Sequence, residues 1–250
     1  MSGRGAASAL TAYVLHRYDW SESSLIVDLF SRELGRVVVA AKGAKRPTSQ
    51  LRAVLRPFQR INATLGRTAQ GAEVHNLRAA EWAGGVPLAG GDALFSAFYL
   101  NELLMKLLAR EDPHAPLWDA YAMTLLQLGG DGEASALRAF EMRLLREIGL
   151  LPELARVTAT QAPVQPGTSY ALRPEVGLSV APAGEANAVL GSDLLLLQAA
   201  LDSADLPALQ RACVVPAAAL RRQLRELLAY HLGQAPLRTR QVLIDLQPLL

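Results

Sequence analysis

Ser24-Leu25-Ile26-Val27-Asp28-Leu29-Phe30 and, beyond Gly35, Arg36-Val37-Val38-Val39-Ala40-Ala41-Lys42 decide how the first part of this chain folds. Both runs are short and rich in β-branched and aromatic residues, as is Thr11-Ala12-Tyr13-Val14-Leu15-His16-Arg17 upstream. Turn-forming material, Asp19 with Ser21 and then Gly35, separates them, so they read as three consecutive antiparallel strands. A fourth strand is expected over 58–65 after Pro57, and a fifth over 73–82, with Gly66 and Gly71 bounding the turn between them. Five short strands in about seventy residues predict a small closed barrel, because closure removes exposed strand edges.

Between the third and fourth strands lies Gly43-Ala44-Lys45-Arg46-Pro47-Thr48-Ser49, followed by a short helix over 50–55. In a five-stranded barrel of the OB type a helix occupies that interval, beside strands that bind oligonucleotides. The interval is also where the charge gathers. From Leu34 to Ala72 the chain carries Arg36, Lys42, Lys45, Arg46, Arg52, Arg56, Arg60 and Arg67, and no Asp or Glu. Soluble surfaces usually intersperse both signs, so an uncompensated run calls for a polyanion, of which nucleic acid is the commonest. Lys42, Lys45, Arg46 and Arg56 are the leading phosphate contacts; Arg36, Arg52 and Arg60 read more as solvated strand or helix faces. Tyr13, Tyr18, Trp20, Phe30 and Phe58 are the candidates for base stacking; most of them fit core positions, and Tyr18 and Trp20, in the turn after the first strand, are favoured over the rest as an exposed pair.

Residues 1–82 hold twelve Lys and Arg against six Asp and Glu, and residues 83–250 hold thirteen against seventeen, so the net charge of +2 hides an asymmetry between the two parts. The pattern fits a nucleic-acid module joined to a protein-contacting scaffold. Gly84-Gly85-Val86-Pro87 and Gly90-Gly91 mark the boundary, giving a flexible arm over 1–9, the barrel over 10–83 and a helical domain over 90–250. Helical periodicity is expected over 93–108, from Pro113 and Pro116 to 128, and over 136–148, forming a bundle. It resumes over 193–201, 216–232 and 238–246, after a small hairpin or irregular insertion at 159–191. The fold class is thus α+β, a five-stranded OB-type barrel followed by a mainly helical domain.

Several functions are disfavoured. Cys213 is the only cysteine, which excludes an internal disulfide and a cysteine-based zinc site and fits the reducing cytoplasm. No apolar run approaches the roughly 20 residues that span a bilayer, and Met1 to Ser8 reads as an arm rather than a targeting segment. There is no phosphate-binding G-x-x-x-x-G-K-[ST] loop, no G-x-S-x-G elbow, and His16, His75, His114 and His231 are scattered. No enzyme activity, metal or cofactor is expected. In the helical domain Arg138, Arg143 and Arg146 lie near helical spacing beside Phe140, a stripe that reads by itself as an amphipathic helix.

Tyr13-Val14-Leu15-His16-Arg17, Trp20-Ser21-Glu22-Ser23-Ser24-Leu25-Ile26-Val27-Asp28-Leu29-Phe30, Gly35-Arg36, Ala41-Lys42-Gly43-Ala44-Lys45, Leu55-Arg56-Pro57-Phe58, Tyr99-Leu100-Asn101-Glu102-Leu103-Leu104 and Leu137-Arg138-Ala139-Phe140-Glu141 together resemble the RecO family of bacterial recombination mediators. The resemblance runs from about residue 10 to residue 240 in the family's order. It implies a cytoplasmic, nucleoid-associated protein that binds single- and double-stranded DNA and anneals complementary strands. It further implies that, with RecR, the protein helps load RecA onto DNA coated by single-strand-binding protein, SSB. Many relatives carry a four-cysteine zinc module in the helical domain; with Cys213 alone, this chain resembles the zinc-free branch. The resemblance also implies that Arg138, with Phe140 and Arg143 beside it, helps receive the acidic, Phe-terminated SSB tail. Two other classes remain open beside a DNA-annealing mediator: a protein adaptor that docks the SSB tail with only incidental DNA contact, and a nuclease, which lacks clustered carboxylates in the basic region.

Overall fold

The computed structural model describes residues 8–66, 73–85, 90–233, 237–239 and 241–242. Residues 1–7 of the expected arm over 1–9, Arg67 and the rest of the expected turn after Gly66, and residues 240 and 243–246 of the expected last helix lie outside the described residues. Contacts divide the chain into two compact units, the first ending at Asp119 and the second beginning at Ala120.

In the first unit β1 (Ser8–Asp19), β2 (Leu25–Ser31), β3 (Gly35–Ala41), β4 (Gln59–Leu65) and β5 (His75–Gly85) close into a barrel in the order β1-β2-β3-β5-β4. All neighbours are antiparallel except β3 and β5, which run parallel through Val39↔His75 and Ala40↔Asn76. The short helix α1 (Leu51–Val54) sits between β3 and β4, as the OB-type expectation requires. Ser8 and Ala9 pair with β4, so the first strand begins inside the segment read as an arm.

Alternation sends Val14, Leu25, Val27, Leu29, Val37 and Val39 into the barrel. Their outward neighbours Tyr13, Leu15, Phe30 and Val38 are buried too. Helix α2 (Asp92–Leu107) and the start of α3 (Ala115–Leu125) account for this second burial. The Trp118 indole donates to the Phe30 carbonyl at 3.0 Å, and the Phe98 ring lies 5.0 Å from Phe58. A register shift between Val14 and His16 interrupts the β1–β2 ladder, and the Asn101 amide donates to the Leu15 carbonyl there at 2.7 Å. Strands covered on both faces are apolar nearly throughout, which is the pattern in the two runs that open the sequence.

The β3–β5 ladder is short, and the segment after α2 extends the wall. Arg36 bridges Arg110, the Glu111 amide donates to the Arg36 carbonyl at 2.9 Å, and His75 meets the Glu111 carboxylate at 2.6 Å.

The second unit contains α4 (Glu133–Glu147), α5 (Gly191–Asp202), α6 (Leu206–Ala212) and α7 (Ala217–His231). It also holds a three-stranded sheet, β7-β6-β8, from β6 (Ser169–Arg173), β7 (Gly177–Val180) and β8 (Val189–Leu190). Helix α4 packs on α6 and α7, and β6 packs on α7. The insertion is therefore a hairpin with a third strand added. Helix α6 escaped the periodicity because it has seven residues, too few to repeat a face, although its start is marked: the Asp205 side chain accepts from the Ala208 amide at 3.0 Å and Pro207 occupies the first turn. No described helix is long and apolar enough to cross a membrane.

Candidate nucleic-acid interface

Helix α1 closes one end of the barrel. Leu55 and Ala44 are fully buried, with Leu51 and Val54 packed against the same core, so the apolar side of this short element faces inward. Lys42, Arg46, Arg52 and Arg56 are left exposed around it. None of these four makes an ion pair with a described residue, and the first turn of α1 has no acidic side chain. The sequence brought these cations close together, and the fold keeps them in water.

Lys45 is placed differently from its neighbours. Its amide donates to the Ser23 carbonyl at 2.9 Å, its ammonium donates to the Ser21 carbonyl at 3.1 Å, and it meets the Asp19 carboxylate at 3.2 Å. It ties the β3–α1 loop to the β1–β2 loop while keeping about a third of its side chain exposed, at 30%. Arg17, which the strand pattern hid, reaches the Leu55 carbonyl at 3.5 Å and adds a cation beside Arg56.

Arg36 and Arg60 stand apart from the ridge. Arg36 points outward from β3 beneath α2, pairs with Asp28 at 2.9 Å, and donates to the Met105 carbonyl; the two charged side chains are 15% and 5% exposed. Arg60 donates to the Ala83 carbonyl through Nε at 3.0 Å and Nη2 at 2.7 Å, where the β4–β5 register shifts. Both guanidiniums hold the barrel wall together instead of standing free on its surface.

Tyr13, Phe30 and Phe58 are buried. Three described aromatics of this unit are exposed rather than half-buried: Trp20 at 71%, Trp82 at 65% and Tyr18 at 46%. Trp82 was hidden at the end of the fifth strand; its indole N–H donates to Gln59 at 2.7 Å.

The Arg138 stripe does not form an open groove. Arg138 is buried and its guanidinium is bonded to Glu141 one turn along α4. Phe140 is fully buried with its ring 6.2 Å from that of Tyr121, and Arg143 pairs with Glu147 at 3.1 Å. Helix α4 packs on both α6 and α7, and among the described residues the buried Nε of Arg138 has no hydrogen-bond partner.

Cys213 lies in this interior, its sulfur 4.0 Å from that of Met142. Burial pushes its thiol up to about 12 from 9.0; the Arg138 charge pulls against this and the Glu141 charge adds to it. The thiol is therefore protonated at neutral pH, and an alkylating reagent is expected to label it only on unfolding. Since the unfolded thiol ionises first, the stability it confers is complete below about pH 9 and is lost as pH rises toward about 12. Urea midpoints measured across that range should fall for the parent and fall less for Cys213→Ala; fast labelling of the native protein contradicts the placement.

The family model described as "Recombination protein O N terminal" matches residues 8–86, and "Recombination protein O C terminal" matches residues 89–241. DNA repair protein RecO of Verminephrobacter eiseniae is 52% identical over 243 residues, covering 95% of this chain and 96% of that protein. The protein of the same name from Acidovorax ebreus is 51% identical over 253 residues with the same coverage, and that from Variovorax paradoxus 49% over 250 residues.

Proposed function

Because the chain belongs to the RecO family of DNA repair proteins, we propose that the α1 end of its barrel grips the sugar-phosphate backbone of single- and double-stranded DNA. On this reading the protein anneals complementary strands and, with RecR, helps load RecA onto SSB-coated single strands, performing no bond-breaking chemistry itself. The supporting observation is the set of exposed cations, Lys42, Arg46, Arg52 and Arg56, which make no ion pair among the described residues and lie on and beside α1 of an OB-type barrel. Counterion release by such contacts supplies affinity for any sequence, which is what annealing of arbitrary strands requires. The division into a barrel domain over 10–83 and a helical domain over 90–250 belongs to the same proposal, the first contacting DNA and the second proteins. SSB is kept as a partner of the helical domain, with Arg138, Phe140 and Arg143 as the proposed seat of its tail; a tail carboxylate there would compete with Glu141 for the Arg138 guanidinium and with Glu147 for Arg143.

Titrating the protein into a labelled oligonucleotide over a salt series tests the reading. Each single-strand phosphate contact contributes a slope of about 0.7, so four contacts give a fall of about 3 in log K per decade of salt. Strand annealing should follow the same salt dependence. Binding that vanishes at physiological salt, with the protein still held by SSB, would instead identify a protein adaptor.

A further inference from the structure

We propose that Trp20 is a stacking platform for one unpaired base, which gives the barrel end a preference for single strands over duplex; this rests on the DNA-contacting reading above. Trp20 is 71% exposed, more than any other aromatic among the described residues. An indole left in water is an uncovered apolar and π surface, and beside a row of cations the ligand that meets both demands is a nucleotide.

The backbone that carries the ring is held in place. The Ser21 hydroxyl accepts from the Ser23 amide at 3.4 Å and the Ser24 amide at 3.1 Å, while the Trp20 amide donates to the Ser24 carbonyl at 3.2 Å. Lys45 bonds on both sides of it, to the Asp19 carboxylate and the Ser21 carbonyl, so an ammonium lies against the backbone that carries the ring. A base on the indole and its phosphate near Lys45 thus need no loop rearrangement, which limits the ordering cost of binding.

Two other aromatics are less available: the Tyr18 ring meets His16 edge-on at 4.4 Å, and Trp118 is buried under the barrel wall. Trp82, 65% exposed with its indole N–H held by Gln59, keeps an open ring face, so Trp82→Ala is the comparison variant and should leave the single-strand preference in place. A duplex keeps its bases stacked on one another and offers the ridge only phosphates, so the ring should contribute to single-strand binding alone.

The test uses the full chain with an oligodeoxythymidylate and a blunt duplex of equal length. Trp20→Ala is expected to weaken the single strand about 10- to 100-fold, leave the duplex affinity within about twofold, and leave the salt slope unchanged. Trp20→Phe should recover part of the loss and remove most of the tryptophan fluorescence quenching that stacking predicts for the parent. Equal losses on both ligands, or no loss on the single strand, overturn the stacking role. The underlying reading fails separately: a variant with Lys42, Arg46, Arg52 and Arg56 exchanged for glutamine would then bind both ligands as the parent does. Thermal melts serve as the folding control, and the exposed ring predicts parental melting for Trp20→Ala.

Discussion

Exchanging Lys42, Arg46, Arg52 and Arg56 together for glutamine is expected to lower single-strand affinity about 100-fold or more at low salt, and to reduce the salt slope by about 3. The size follows from four phosphate contacts at about 0.7 counterions each, a loss that grows as salt is lowered. The same exchange should slow strand annealing by a similar factor, because these cations would also screen the repulsion between two backbones. Folding should be almost untouched, since none of the four side chains is buried or ion-paired among the described residues. Arg36→Gln provides the contrast. It strands the Asp28 carboxylate, 5% exposed, without its partner, so it should reduce the unfolding free energy by about 3 kcal/mol while leaving the salt slope intact. Measuring urea unfolding and salt-dependent binding on both variants separates the two outcomes; a charge-ridge variant with the parental slope would reject the interface.

Gly35→Ala should be the most damaging conservative change in the first unit, costing about 3 kcal/mol and lowering the melting temperature by about 10 °C. Gly35 has φ +71, where a side chain is strained, and an added Cβ would stand 1.9 Å from the Asp112 carbonyl oxygen. That oxygen belongs to backbone and cannot swing aside. Relief requires moving the segment whose Arg110 and Glu111 complete the wall between β3 and β5. Gly149 has nearly the same φ, +73, with nothing within 4 Å of the added Cβ, so Gly149→Ala should cost only about 1 kcal/mol. Calorimetric melts of the two variants isolate the clash from the dihedral; equal losses would show that the approach of Asp112 is not what demands glycine.

The barrel was legible because its information is local. Runs such as Leu25 to Phe30 and Arg36 to Ala41 carry their own strand preference, the glycines and prolines between them set the turns, and α1 falls where the OB-type order puts it. Elements of few residues were harder: α6 and β8 bury too little in sequence to repeat a pattern, and Asp205 with Pro207 was the one available mark of α6. Trp82 was passed over because a strand position does not say which face meets water.

By itself, then, the sequence determined a five-stranded barrel with a short helix after its third strand, a helical remainder, and a basic run around that helix. Tertiary structure alone decided which of those cations stay in water. Arg36 is withdrawn by a helix whose Met105 lies 69 residues away in sequence, and Arg60 by a carbonyl 23 residues away. Arg138 is buried, with Glu141 one turn along α4 on its guanidinium, in a unit where α4 packs on α6 and α7. The physical reason is that strand and turn preference act between near neighbours, whereas desolvation and ion pairing depend on whichever distant segment folds over a charge.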